Sequence, residues 1–145
     1  MLVLALLGCA PPPLPAVDAT PSISISWPPS EAEVVGCEIV AVDIRNFELD
    51  PILPGGDNTE GHGHYHIYHP KGYSACDKPY CFVDLSTVES TTDPFFTAVL
   101  AYNDHTELLD ENGDRYEHTI PITFVPGDCA TGTEETDTGD SGVGY

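Results

Sequence analysis

The chain has 145 residues, which is about the size of a single domain. Its 4 Lys and Arg against 24 Asp and Glu give a formal net charge of -20, which argues against a nucleic-acid partner because phosphate binding needs a basic surface. Hydrophobic residues make up 41%, enough for a packed core, and the 14 Pro and 13 Gly argue against a helical bundle.

The N-terminal segment predicts export. Residues 1–8 are apolar, and Leu6-Leu7-Gly8-Cys9 resembles the lipobox of bacterial lipoproteins, in which a small residue precedes the cysteine that is lipidated. No Lys or Arg precedes the run, which departs from that pattern. The run is too short to span a membrane, which takes about 20 apolar residues. We expect a signal segment at 1–8 and a lipoprotein of the outer or cytoplasmic membrane that faces the periplasm or the cell surface, held through lipid on Cys9.

Two segments flank the central domain. Residues 9–21 are rich in Pro and predict an extended tether. A short buried strand over 1–10 is the alternative, which the following polyproline stretch disfavours. Residues 130–145 contain four acids and no Lys or Arg, and such a segment buries too little apolar surface to offset its ordering entropy. The sequence predicts a disordered acidic tail there.

Four cysteines remain besides Cys9, an even number in a chain that we expect in an oxidising compartment, and they allow three disulfide pairings. Cys76 and Cys81 flank a turn-like spacer, so we favour their pairing, which leaves Cys37 with Cys129. Closing that long loop is worth roughly 4 kcal/mol on the chain-entropy model. A zinc site built on Cys76 and Cys81 is the alternative, although their spacing is at the loose end of those in zinc sites.

Residues 22–129 predict an all-β domain. Alternation of apolar and polar residues is typical of half-buried strands, and in the second strand it turns Val40 and Val42 towards the core. Asn112-Gly113 is the strongest hairpin signal in the chain. Short strands at regular spacing favour an immunoglobulin-like Greek-key β-sandwich of six to eight strands. The main predicted strands are 22–27, 34–49, 61–68, 81–85, 95–102 and 117–125.

The histidines carry the clearest chemical signal. Four of the six fall within eight consecutive residues, at His62, His64, His66 and His69. Residues two apart in a strand share a face, so the first three project together, and two such imidazoles can converge on one ion at about 2 Å per bond. Tyr65 and Ile67 have the opposite parity and predict the core face. The histidine face is therefore expected to point outward or towards a loop end.

A third ligand is expected from His105, which follows the apolar strand 95–102. Asp104 or Asn103 could accept a hydrogen bond that orients an imidazole. Clustered imidazoles with few thiols suit copper(II) or zinc. The pattern predicts a metal site at His64, His66 and His105, with His62 as a further candidate ligand.

Other interpretations of the histidines stay open. His69 has the wrong parity for the cluster, and His118 shares its parity with Ile120, so burial is as good an explanation of it as ligation. An H-x-H strand also occurs as a plain polar face whose imidazoles bond to backbone or to tyrosine hydroxyls.

Two motifs resemble those of a family of exported bacterial immunoglobulin-like domains of unknown function. They are Gly61-His62-Gly63-His64-Tyr65-His66-Ile67-Tyr68 and Leu100-Ala101-Tyr102-Asn103-Asp104-His105, and they match a G-x-G-H-x-H strand and a later strand that ends in an acid and His. The resemblance covers most of 22–127 in strand order. It implies a β-sandwich with His64, His66 and His105 close together, and it implies no reaction.

Three functions follow, in this order. The first is a lipid-anchored, non-enzymatic β-sandwich that stores, delivers or senses copper or zinc at the cell envelope. The second is a structural or adhesive envelope module whose histidines are incidental. The third is a redox enzyme similar to copper–zinc superoxide dismutase, although the chain lacks the remaining histidine and aspartate spacing of a two-metal site. No nucleophile elbow, phosphate loop or dinucleotide motif indicates another enzyme class.

Overall fold

The computed structural model describes residues 19–53 and 55–129, and in these ranges the regular structure is all β. These ranges hold no helix that is long and apolar enough to cross a membrane. The predicted signal segment, Cys9 and the predicted tail lie outside the described residues, as does most of the predicted tether. The ten strands are β1 (Ser22–Trp27), β2 (Glu33–Val35), β3 (Cys37–Arg45), β4 (Glu48–Leu49), β5 (His62–His69), β6 (Gly72–Cys76), β7 (Tyr80–Asp84), β8 (Phe95–Ala101), β9 (Glu117–Pro121) and β10 (Thr123–Val125).

The strands form two principal sheets and one short pair. The first sheet has the order β1-β3-β7 and is antiparallel throughout. The second has the order β4-β5-β8-β9, and β6 adds to β5 as an antiparallel neighbour. Strands β2 and β10 pair in parallel. The all-β class is confirmed, although the described residues form ten strands and not the predicted six to eight. An immunoglobulin-type Greek key stays a prediction.

The core lies between the two principal sheets. Val40 and Val42 of β3 are buried from one side, and Tyr65 and Ile67 of β5 are buried from the other. Alternation predicted an inward face for these four, and their orientation is confirmed. The same parity in 34–49 also included Ile44, which is half-buried, and Asn46, which is exposed, so the prediction is wrong for Asn46. The opposite faces of both sheets therefore point away from the core.

The predicted strand over 34–49 is wrong in one respect, because the structure divides it into β2, β3 and β4. The breaks fall at Gly36 and Asn46, whose φ angles of 66° and 53° lie in the left-handed region that ends an extended strand. A Cβ at position 36 would also overlap the backbone of Asp128. Similarly, the predicted strand over 117–125 divides at Ile122.

A bulge changes the direction of the last residue of β1. Ile25 pairs with Val42, but Trp27 pairs with Ala41, so one residue of β1 between them has no counterpart in β3. Alternation alone would turn Trp27 inward beside Ile23 and Ile25. The bulge places it on the outer face instead, where 55% of it is exposed.

Both favoured disulfides are confirmed. Cys76 at the end of β6 bonds to Cys81 in β7, with a Cα–Cα distance of 5.7 Å, and so joins the two principal sheets. Cys37 at the start of β3 bonds to Cys129, with a Cα–Cα distance of 4.8 Å. The alternative of a zinc site at Cys76 and Cys81 is wrong, because both sulfurs are used in the bond.

Candidate metal centre

Strand β5 carries two histidines on the face that points away from the core. His64 pairs with Ala101 of β8, and His66 pairs with Val99 of β8 and with Ala75 of β6. These neighbours are small, so they leave room above the sheet for two imidazole rings. The ring centroids of the two histidines are 4.9 Å apart.

The residue before His64 has to be glycine. A Cβ at Gly63 would overlap the carbonyl oxygen of Ala101 and lie 3.1 Å from the Phe47 ring. Its absence lets β5 lie close against β8 at the point where the two histidines begin. The H-G-H part of the motif therefore has a packing reason as well as a ligand spacing.

A tight turn after β8 supplies the third histidine. The Tyr102 amide donates to the Thr106 carbonyl at 2.8 Å, and the His105 amide donates to the Tyr102 carbonyl at 2.9 Å. This is a three-residue loop that ends on a left-handed residue, where glycine is usual. His105 takes that position with a φ of 68°, which costs a side-chain-bearing residue roughly 1 kcal/mol. Strain of this kind is common at functional sites.

Asp104 and Asn103 hold this turn in place. The Asp104 carboxylate accepts from the Thr106 amide at 2.9 Å, and the Asn103 amide donates to Asp50 at 3.2 Å and to the Asp57 carbonyl at 3.1 Å. Either of them could have accepted a hydrogen bond from an imidazole, but no imidazole of the described residues donates to them. Asp104 accepts within the turn, and Asn103 holds the turn through its amide nitrogen, whereas its buried Oδ1 meets no partner in the described part of the chain.

The three histidines meet at one point. Nε2 of His64 lies 3.0 Å from Nε2 of His66 and 3.1 Å from Nδ1 of His105. The third side of the triangle, from His66 Nε2 to His105 Nδ1, is 3.2 Å. These are the three histidines that the sequence predicted as ligands, and together they form a group that could hold a metal ion.

Hydrogen bonding alone does not account for this triangle. Each nitrogen of a neutral imidazole either donates or accepts, but not both. Among three nitrogens in mutual contact, at least two must therefore have the same role and repel at about 3 Å. A shared cation resolves the conflict, because all three nitrogens can direct a lone pair at it.

The triangle has the dimensions of a metal site. Zinc binds imidazole nitrogens at about 2.0–2.1 Å, so one ion could contact three nitrogens that lie 3.0, 3.1 and 3.2 Å apart. His64 and His66 would hold it through Nε2 and His105 through Nδ1.

Burial keeps two of the rings neutral. His64 is 0% exposed and His66 is 2% exposed, whereas His105 lies at the surface. Removal from water lowers the pKa of His64, and the neighbouring His105 lowers it further. The same effect, assisted by His64 and His105, lowers the pKa of His66 to about 4. Neutral imidazole is the form that binds metal, so these two rings suit a metal ligand at neutral pH.

This face was expected to point outward or towards a loop end, and for His64 and His66 it is the loop end that lies over it. The turn that carries His105 covers His64, and the Tyr73 ring lies 4.5 Å from that of His66. The Nδ1 atoms of His64 and His66 are also buried, and neither meets a hydrogen-bond partner in the described part of the chain. The triangle uses Nε2 of both rings, so an ion bound there would leave these Nδ1 atoms as N–H donors.

Sequence reasoning missed Tyr73 because it missed strand β6. The signal was present in His69-Pro70-Lys71-Gly72, since Pro at the second position and Gly at the fourth favour a tight turn. A hairpin there brings Tyr73 opposite Tyr68 and diagonal to His66.

The remaining histidines lie outside the cluster. His62, the fourth candidate, is not part of it, because its Nδ1 faces the carboxylates of Asp50 at 3.6 Å and Glu48 at 3.9 Å. His69 is buried, as its parity predicted, and contacts Ser74. His118 accepts a hydrogen bond from the Ile25 amide at 3.1 Å, which explains it without a metal.

Comparisons with protein-family models, curated proteins and solved structures find no match to this chain. The resemblance to exported immunoglobulin-like domains therefore stays a prediction. The proximity of His64, His66 and His105 that it implied is observed independently in the structure.

Proposed function

We propose that this chain binds one transition-metal ion through His64, His66 and His105. The observation that carries the proposal is the nitrogen triangle with sides of 3.0, 3.1 and 3.2 Å. Two of its members are buried and hold neutral rings. Buried polar groups are normally paired by hydrogen bonds, and a histidine cluster without a ligand role would not be expected to place three such nitrogens against each other.

Copper(II) or zinc is the proposed ion. Three neutral imidazoles suit both, and the order of affinities for divalent ions favours copper where the two compete. The nitrogen separations of 3.0, 3.1 and 3.2 Å would let one such ion contact all three imidazoles. Calcium and magnesium are disfavoured, since they prefer oxygen ligands.

Storage, delivery or sensing of the ion is the role that we propose, without catalysis. A two-metal enzyme similar to superoxide dismutase would need a second set of ligands. Within residues 19–53 and 55–129, the one further grouping of metal-ligand side chains is Cys37, Asp84 and Cys129, and its two cysteines form a disulfide. One site made of three imidazoles favours metal binding over that two-metal chemistry.

We also propose that the chain is exported and anchored through lipid on Cys9. The two disulfides support this, because such bonds persist in oxidising compartments. The sequence around Cys9 supports the anchor through its resemblance to a lipobox. A structural or adhesive module without metal is the alternative that the binding experiment decides.

Calorimetry on the purified chain with copper(II) and with zinc tests metal binding. We expect about one equivalent to bind, and an ion at 100 times its dissociation constant should stabilise the fold by about 2.7 kcal/mol. The variant His64→Asn with His66→Asn should lose binding. His62→Gln is the matched control, because it removes a nearby imidazole that faces carboxylates, and it should bind as the parent does.

Two results would contradict the metal proposal. One is the absence of uptake by a folded chain, and the other is equal uptake by the parent and the double variant. Anchoring is tested separately by membrane fractionation of cells that express the parent or Cys9→Ser. Release of the variant from the membrane fraction is expected, and its retention there would exclude lipidation at this residue.

A further inference from the structure

The outer face of the β1-β3-β7 sheet exposes large apolar side chains that lie next to each other. In the sheet register, Ala41 lies between Trp27 and Tyr80, and Ile39 pairs with Phe82 in the neighbouring row. Val35, Ile39 and Phe82 also line one shallow groove. We call this the outer apolar patch, and its members are Trp27, Val35, Ile39, Tyr80 and Phe82, exposed by 55%, 44%, 54%, 59% and 61%.

Specific features of the local backbone and side chains form this patch. The bulge in β1 turns Trp27 away from the core and onto the patch. Ala41 is a small residue between two large aromatic ones, so the row from Trp27 to Tyr80 has a notch that an inserted side chain can fill. The Trp27 indole N–H donates to Glu38 at 3.3 Å, which fixes the ring at the surface.

The size of the patch fits a protein interface. Three aromatic rings that each expose about 100 Å² and two aliphatic side chains that expose somewhat less give roughly 450 Å². The largest apolar patch on a typical monomer is about 300–600 Å² and is often functional. A standard interface buries about 800 Å² on each partner, so the patch would form its apolar centre, and Trp, Tyr and Phe are enriched at such centres.

The charges around the patch indicate which kind of partner can bind there. Glu38 contacts Trp27, Asp43 follows Ala41 on the same face of β3, Asp84 follows Phe82 on the same face of β7, and Glu33 lies in β2 with Val35. The basic residues nearby are Lys71 and Lys78, which pair with Asp84 at 3.9 Å and with Asp77 at 3.7 Å, and Arg45 at the far end of β3. With a net charge of -20, two copies of the chain repel each other, and so do the chain and an anionic membrane. A partner with basic groups around an apolar centre is complementary to both features.

We propose that the outer apolar patch is a docking surface for a cationic protein that inserts apolar side chains between Trp27 and Tyr80. The patch and the histidine cluster lie on the outward faces of different sheets, so a docked partner would not contact the histidines. Because no patch residue is a proposed ligand, this interaction stands whether or not the chain binds metal.

Trp27 makes the proposal directly measurable, because it is the single Trp of the chain. The probe is a synthetic peptide that alternates lysine and leucine, titrated into the purified full chain while tryptophan emission is recorded. We expect a saturable blue shift. The variant Ile39→Thr with Phe82→Thr keeps the charge and should weaken binding at least tenfold, whereas Leu109→Thr changes an exposed apolar residue outside the patch and should have no effect.

Each contrary result would contradict a different part of the docking proposal. Equal binding by the parent and the double variant would show that the peptide uses the acidic surface elsewhere. Equal binding of a peptide with glutamate in place of lysine would remove the charge argument. A concentration-dependent dimer that Phe82→Thr abolishes, or adsorption of the chain to vesicles of phosphatidylcholine, would replace the cationic partner with a second copy or a lipid surface. Thermal melts establish that each variant is folded.

Discussion

Gly63 lies directly against the backbone of Ala101, with no space for even one additional carbon atom between β5 and β8. This contact aligns the strand that carries His64 with the strand that leads to the turn of His105. The geometry of the histidine cluster therefore depends on a residue that contributes no imidazole.

Gly63→Ala is expected to destabilise the fold by about 1–3 kcal/mol, because the new methyl group overlaps a backbone carbonyl that cannot move without distorting the sheet. Chemical denaturation measures this. Gly55→Ala is the control: its Cβ would meet no atom, and only its φ of 71° makes the change unfavourable. A loss no larger at position 63 than at position 55 would contradict the packing argument.

The positive φ of His105 predicts that this residue lowers the stability of the fold while it contributes to metal binding. Glycine tolerates a φ of 68°, whereas alanine does not, so His105→Gly should be roughly 1 kcal/mol more stable than His105→Ala in metal-free buffer. Both variants lack the ligand and should bind metal much more weakly than the parent. Denaturation midpoints and calorimetry give the two quantities, and equal stability of the two variants would mean that the turn relaxes.

Burial of the imidazoles predicts a loss of stability in mild acid. The pKa of His66 is lowered from 6.5 to about 4, so between these values the unfolded chain binds more protons than the folded chain. The free energy of unfolding therefore falls as the pH falls through this window, at up to about 1.4 kcal/mol per pH unit for one proton. Urea denaturation of the metal-free chain between pH 6.5 and 5 measures the slope. His66→Gln should have a shallower slope, and an unchanged slope would assign the effect to other groups, including His64 and His69, whose pKa burial also lowers.

The two disulfides are expected to differ in their contribution to stability. Cys37 and Cys129 are 92 residues apart and Cys76 and Cys81 are 5 apart, so the chain-entropy model assigns roughly 4.5 kcal/mol to the first bond and roughly 2 kcal/mol to the second. Paired substitution by serine, followed by denaturation, compares them. A larger loss on removal of the shorter bond would mean that joining the two sheets outweighs loop closure.

Much of the site could be predicted because it depends on strand alternation. The period of two in β5 fixes which side Tyr65 and Ile67 occupy, and so places His64 and His66 together on the other side. The choice of His105 followed from its position after an apolar strand. The alternation could not predict that both faces of β5 would be covered, since this depends on a turn 40 or so residues later in the chain.

The errors have physical causes in backbone geometry. His62 has the parity of the cluster, but β4 pairs with this end of β5 and brings Glu48 and Asp50 beside the ring. Trp27 has the parity of the core, but one unpaired residue in β1 reverses its direction. Neither the pairing of a two-residue strand nor a bulge leaves a signal in the alternation of apolar and polar residues.

An ion held by His64, His66 and His105 would connect positions 39 and 41 residues apart, and so it would act as a reversible cross-link between β5 and the tip of the β8 turn. The two disulfides persist outside a reducing environment. This third link, in contrast, would form when metal is available and be lost when metal is scarce. The lifetime of the protein in the presence of proteases would then rise and fall with that supply. Such a chain could report metal scarcity through its own degradation, without any change in its synthesis.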